Sequence, residues 1–247
     1  MVHSKIIAVI PARFASSRFR GKLLYNILGK TLLQRTYEQV AKCSIFEDIY
    51  IATDDQRIYS HAQEIGAVPI MTSEKCLNGT ERIIEALNIT RAMQKAQIVV
   101  NIQGDHPLIL PKTIESVANI LKKDPGSVMS TAATLFKNKE EALSPHAVKV
   151  VFDKNQNALY FSRSLIPFSK NLDKTSFYYH IGIYAYRTNF LKELSNLQPT
   201  ACQLSEDLEQ LKVLEHGYKM KVALVDENPI GVDVIEDICR VEKQLCQ

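Results

Sequence analysis

The chain has 247 residues, 46% of them hydrophobic, enough to bury a large core within the range where an α/β chain stays a single domain. Its 30 basic and 27 acidic residues leave a formal charge of +3 with no basic run, which argues against a nucleic-acid partner and makes any phosphate binding local. The longest apolar runs, residues 5–11 and 98–102, are too short to cross a bilayer, and no stretch has the length of a signal-peptide core, so a cytoplasmic protein without a membrane partner is expected.

Through the first half, short β-branched runs alternate with amphipathic stretches, the pattern of βαβ units and a parallel sheet. Residues 6–10 read as a strand, 32–42 as a helix, 48–53 as a strand, 57–66 as a helix and 68–71 as a short strand. Asn78-Gly79-Thr80-Glu81 is a capping box that opens a helix running to about Met93. Residues 98–102 form the most apolar strand. The second half changes character. Residues 148–152 and 158–161 flank a turn-rich segment and predict a hairpin, and 179–186 alternate as a further strand, which implies a mixed sheet or an arm. Ser205, Glu206 and Asp207 open a helix toward His216, 219–225 return as a strand, and 233–245 close as a helix. Repeats, low-complexity segments and linkers are lacking, so one α/β domain spanning 1–247 is expected, with a small mixed β lobe around 145–190. Five scattered cysteines, odd in number and without CxxC spacing, predict free thiols instead of a disulfide framework or zinc site.

Ligands of an open parallel sheet bind beyond the carboxyl ends of its strands, so the loops there carry the chemistry. The first, residues 11–22, holds Arg13, Arg18, Arg20 and Lys22 with Ser16, Ser17 and Gly21, and suits a triphosphate; a solvated basic turn is the plain alternative. It has neither P-loop nor GxGxxG spacing. The second, Gln103-Gly104-Asp105-His106-Pro107, places a carboxylate at the end of a buried strand, where it can hold Mg²⁺ or simply form an Asx-turn. In the third, Gly231-Val232-Asp233, the aspartate is either a helix cap or a second ligand. Two carboxylates converging beside a cation-rich loop make a metal and polyphosphate site.

These residues resemble the 3-deoxy-manno-octulosonate (Kdo) cytidylyltransferases. The likeness covers nearly the whole chain, through Ile10-Pro-Ala-Arg13, Ser17-Arg18, Gly21-Lys22, Ala52-Thr-Asp54, Asn78-Gly-Thr-Glu-Arg82, Gln103-Gly-Asp105, Ala158-Leu-Tyr-Phe-Ser-Arg163, His180-Ile-Gly-Ile-Tyr184, Leu208-Glu-Gln-Leu211 and Gly231-Val-Asp233. The resemblance implies a Rossmann-like three-layer nucleotidyltransferase fold and the transfer of CMP from CTP to the anomeric 2-hydroxyl of Kdo, with release of pyrophosphate, for lipopolysaccharide biosynthesis. It implies that Arg13 and Lys22 contact the triphosphate, that Asp105 and Asp233 bind Mg²⁺, and that Ala12, Asn78, Gly79 and Arg82 surround the cytosine. Gln103, Arg163, His180, Tyr184 and Glu209 become candidates for the sugar, with the lobe also pairing a homodimer. For His180, a satisfied core histidine stands beside that role. The chain departs from the family at Arg20, where proline is usual, and at His106, where glutamate is usual. The latter suggests tuning toward a modified octulosonate such as the 8-amino form. A sialic-type acid and a silent nucleotide-binding module are the remaining alternatives.

Overall fold

Residues Ile6–Ala12 form β1, a strand in which all seven positions are buried, two residues longer than the apolar run alone suggests. A two-residue ladder, β2 (Asn26–Ile27) with β3 (Lys30–Thr31), then leads into α1 (Leu32–Ala41), whose first turn is capped by Thr31 Oγ1 accepting from the Gln34 amide. Next come β4 (Asp48–Thr53), α2 (Gln56–Glu64), capped by Asp55, and β5 (Val68–Met71). The computed structural model describes residues 5–16, 18–227 and 229–246. It divides into two compact units, Met1–Glu115 with Pro229–Gln247, and Ser116–Asn228.

In the first unit, α3 (Gly79–Ile89) begins at the expected Asn78 cap but does not run on to Met93. Thr90 is extended, with φ −114° and ψ 101°, and α4 (Arg91–Gln94) restarts after it. Side chains four apart share a helix face, and Ile89 is exposed. A straight helix would therefore have put Met93 on the same exposed side, whereas the break buries it completely. β6 (Ile98–Asn101) follows, all four residues buried. β4 and β6 flank β1 in parallel, with Ile10 opposite Ile51 and Ala8 opposite Val100, and β5 extends the ladder beyond β4, also parallel. This is the parallel sheet the first half predicts. α5 (Pro111–Lys123), an element beyond those expected, carries buried Ile114, Val117, Ala118 and Leu121 at helical spacing; the division between the units falls within it.

The second unit is built on β7 (Met129–Leu135), β8 (Lys149–Phe152), β9 (Ala158–Ser162) and β10 (Tyr178–Arg187). The hairpin and the further strand are where the alternation puts them; β8 and β9 pair antiparallel, and β10 runs antiparallel to β7 with a register shift between Ile181 and Tyr184. After α6 (Thr188–Leu194), one helix was expected to open at Ser205–Asp207. Instead α7 (Ala201–Glu206) ends there, Asp207 adopts a left-handed conformation with φ 51°, and α8 (Glu209–Glu215) begins beyond it. The Glu215 carboxylate at the end of α8 accepts from Thr200 Oγ1 and from the amides of Cys202 and Gln203, tying the start of α7 to the end of α8. β11 (Met220–Leu224) then pairs parallel to β7, making the mixed sheet. The chain re-enters the first unit for α9 (Glu236–Leu245). No helix among the described residues is long and apolar enough to cross a membrane.

Candidate active site

The three polar loops meet in the first unit around a cavity of about 260 Å³, lined among others by Ala12, Arg13, Lys22, Asn78, Asp105 and Asp233. Its floor is the carboxyl end of β1, where buried Ala12 pairs with Thr53.

The loop after β1 turns back at Gly21, whose φ of +72° disfavours any residue with a side chain. A Cβ there would also lie 2.9 Å from the Phe14 ring. That ring is covered on its face by the Arg57 guanidinium, 3.4 Å from its centroid, and Arg57 is fixed in turn by the Asp55 carboxylate at 2.6 Å. The reversal delivers Lys22 inward. Its Nζ donates to Asp105 Oδ2 at 2.7 Å and to the Val232 carbonyl at 2.7 Å, and lies 3.6 Å from Asp233 Oδ1. One ammonium thus bridges both predicted carboxylates. Burial works to raise the Asp105 carboxyl, but His106 and Lys22 together hold it below the usual carboxylate range, so it is ionised.

Asp233 does not cap the last helix, which was the plain alternative. The amides of Asp233 and Val234 donate to the Asp237 carboxylate, α9 starts at Glu236, and the Asp233 side chain turns to Arg18 Nη2 at 2.9 Å. The loop is pinned where the Val232 amide donates to the Asp105 carbonyl. Gly231 lies close enough to His106 that a Cβ there would approach Nε2 to 3.1 Å, so His106 would have to shift by a few tenths of an ångström. His106 therefore packs under this loop, its Nδ1 3.8 Å from Asp105 Oδ1 and without a hydrogen bond.

Across the cavity, Asn78 caps α3 through Oδ1, which accepts from the Glu81 amide at 2.8 Å, while Glu81 reaches back to the Leu77 amide. Gly79 lies so close to Pro11 that a Cβ would meet Cγ at 3.1 Å. Arg82 lines the cavity, yet its guanidinium is 3% exposed and already bonded to Asp54 Oδ2 at 2.6 Å and Thr72 Oγ1 at 2.7 Å. Gln103 Nε2 donates to buried Asn101. Arg13 is exposed and makes no hydrogen bond or ion pair among the described residues; Ser17 lies outside them. Cys76 also lines the cavity, which the sequence did not signal; burial and its bond to Glu85 push its thiol up to about 11. The cysteines are all free.

The remaining candidates belong to the second unit. Arg163 Nε donates to the Glu206 carbonyl, and its two terminal nitrogens reach the carbonyls of Pro145 and Asp207 at 3.3 Å. His180 is buried, and burial pushes its pKa down to about 3, so the ring is neutral. The Thr131 hydroxyl donates to the Ile183 carbonyl at 2.8 Å and therefore accepts from His180 Nε2 at 2.9 Å, which leaves Nδ1 as the acceptor nitrogen. This is the satisfied core histidine weighed above, with the Thr131 hydroxyl as its partner. The Tyr184 hydroxyl donates to Gln210 Oε1 at 3.4 Å, and burial keeps it protonated well above its ordinary value. Glu209 opens α8.

The donor set suits a hard divalent cation. Asp105 and Asp233 offer carboxylate oxygens, a cationic group already lies between them, and the open cavity leaves the rest of a coordination sphere to phosphate oxygens and water. Among the described residues there is no cluster of three or more acidic, histidine or cysteine side chains that could hold an ion.

The cytidylyltransferase family model matches residues 7–222. A 3-deoxy-manno-octulosonate cytidylyltransferase of Protochlamydia amoebophila is 49% identical over 98% of this chain and 95% of its own length. The mitochondrial 3-deoxy-manno-octulosonate cytidylyltransferase of Arabidopsis thaliana is 49% identical over 97% of this chain and 82% of its own. A solved CMP:2-keto-3-deoxy-manno-octonic acid synthetase complexed with CTP superposes with a TM-score of 0.93 at 36% identity, covering 99% of both chains. A 4-diphosphocytidyl-2C-methyl-D-erythritol synthase from Anaerococcus prevotii, at 16% identity and a TM-score of 0.66 over 99% of this chain and 97% of its own, shares the fold.

Proposed function

The chain belongs to the cytidylyltransferase family, and from that premise we propose that it transfers CMP from CTP to the anomeric 2-hydroxyl of Kdo, releasing pyrophosphate and activating the sugar for lipopolysaccharide assembly. The observation that carries the reading is Lys22 bridging Asp105 and Asp233 inside a cavity fringed by Arg13 and Arg18. Cations and anions alternate there as a magnesium triphosphate requires.

In this mechanism Arg13 and Lys22 grip the phosphate chain, and Lys22 takes up charge as pyrophosphate departs. Lys22 is pre-positioned by Asp105 and the Val232 carbonyl, so little reorganisation is needed at the moment of reaction. Asp105 and Asp233 would hold Mg²⁺. When bound, the ion supplies charge neutralisation at the α-phosphate and lowers the pKa of the attacking hydroxyl, so no separate general base is needed. Ala12 and Gly79 offer small surfaces to the cytosine, Asn78 shapes that wall, and Arg82 stiffens it through Asp54. Of the residues assigned to the sugar, Gln103 belongs to the first unit, and Arg163, His180, Tyr184 and Glu209 belong to the second. Arg163 pairs with the acid's carboxylate, and neutral His180 accepts from a sugar hydroxyl at Nδ1. We further propose a homodimer working in the cytoplasm, where free thiols persist.

The test is pyrophosphate release from CTP and Mg²⁺ with Kdo, 8-amino-Kdo or N-acetylneuraminate offered separately. Release with Kdo is expected. A preference for the amino sugar would move the assignment to the modified octulosonate and point to His106; silence with all three would leave a nucleotide-binding module.

A further inference from the structure

Lys149 is among the largest fully buried side chains of the described residues, 0% exposed, and no step of the mechanism uses it. An ammonium removed from water is costly unless its donors are occupied and its charge serves a purpose. Its Nζ donates to two main-chain carbonyls, Ser144 at 3.0 Å and Arg163. The other side of the Arg163 backbone is held by Glu206, whose Oε2 accepts the Arg163 amide at 2.8 Å while Oε1 accepts from Ser162 Oγ at 2.5 Å. The Glu206 carbonyl takes Arg163 Nε at 2.8 Å. Amide, carbonyl and Nε of this one arginine are therefore each fastened by Lys149 or Glu206. Among the described residues, its terminal nitrogens have only the long 3.3 Å bonds to carbonyls and a 3.9 Å ion pair to a fully solvent-facing Asp207 carboxylate. The fork is rigid at its root and weakly engaged at its tips, the condition for capturing a carboxylate at small entropic cost.

We infer that Lys149 and Glu206 are positioning residues that hold the Arg163 guanidinium ready for the carboxylate of the acceptor acid. This rests on the reading of Arg163 given above. Neither residue touches substrate; both act through Arg163.

The two possible roles of Glu206 predict opposite signs. Were charge alone at issue, removing the carboxylate that accepts from the Arg163 main-chain amide would tighten binding of an anionic sugar. Positioning predicts that Glu206→Ala weakens it. Steady-state kinetics on the full chain with Mg²⁺ would compare Arg163→Ala, Glu206→Ala, Lys149→Met and the double variant Glu206→Ala/Arg163→Ala. The expected result is a rise of roughly tenfold in the sugar KM for Glu206→Ala and for Lys149→Met, with the CTP KM within about twofold of the parent. In the Arg163→Ala background the Glu206 substitution should add less than about twofold, because its route to the substrate is gone. Should Lys149→Met not fold, Glu206→Ala decides the matter. An unchanged or lowered sugar KM in Glu206→Ala, or full additivity in the double variant, overturns the positioning role while leaving that of Arg163. A silent Arg163→Ala overturns both.

Discussion

A charged side chain acquires its meaning from its partners, and Lys22 shows this most directly. It bonds Asp105 and approaches Asp233, so removing it strips the proposed triphosphate site of its central cation and sets two carboxylates against each other. We expect Lys22→Ala to lower kcat by about 10²–10³, the loss typical when a preorganised charge-stabilising group is deleted, with the fold retained. Pyrophosphate release alongside circular dichroism would check it, and a kcat near that of the parent would remove Lys22 from the chemistry. Arg82 carries the opposite lesson. Bonded to Asp54 and buried, it is a wall more than a free hand, and Arg82→Ala should destabilise the chain by about 3–5 kcal/mol by leaving Asp54 unpaired. The urea midpoint measures this. His180 adds a pH dependence. Its ordinary pKa is 6.5 and burial pushes it to about 3. As pH falls below 6.5 the unfolded chain takes up a proton that the folded chain refuses until about pH 3. Its contribution is therefore complete above 6.5 and is lost as pH falls toward 3, with a slope of at most about 1.4 kcal/mol per pH unit. Stability measured by urea unfolding between pH 6.5 and 4 should fall less steeply in His180→Asn, and identical slopes would contradict the buried neutral ring.

Among the elements, α3 joins local stability to the nucleotide site. Asn78 satisfies the first turn, and Asn78→Ala should cost about 1 kcal/mol, while Asn78→Ser keeps a capping acceptor and most of the stability without adding charge. Comparing the CTP KM of the two variants separates shaping from contact: if Asn78 only caps the helix, Asn78→Ser binds CTP like the parent. The capping box was legible because its signal is four consecutive residues. The break at Thr90 was not, since it answers to where Met93 must go, and burial is decided by packing. The same reason explains the helix misplaced at residues 205–207. Acidic residues there look like an N-terminus, but the chain reverses at Asp207 because Glu215 draws the start of α7 back. β7 and α5 differ in legibility. β7, MSTAATL, is mostly small residues without alternation, whereas α5 carries a clear helical spacing.

For the molecule as a whole, the pairing of both carboxylates with Lys22 has a thermodynamic consequence. Chelation by EDTA should abolish pyrophosphate release, and added Mg²⁺ should restore it, yet the melting temperature should not move, because neither carboxylate depends on an ion for its partner. A large drop on chelation would mean that a metal holds the fold. What the sequence by itself determined is what local pattern can carry: the βαβ alternation, the helix caps, the β hairpin, the loops that follow the strands, and the ordered motifs that mark the family. What only the tertiary structure decided is partnership. Lys22 and Asp105 are 83 residues apart and Lys22 and Val232 are 210 apart, while Arg163 and Glu206 are separated by 43. Periodicity reports which face of an element is apolar, but nothing in it states which distant side chain will lie opposite. That choice is made when strands register and helices pack, and there Asp233 became a partner of Lys22 instead of a cap, and Lys149 became the buried support of Arg163.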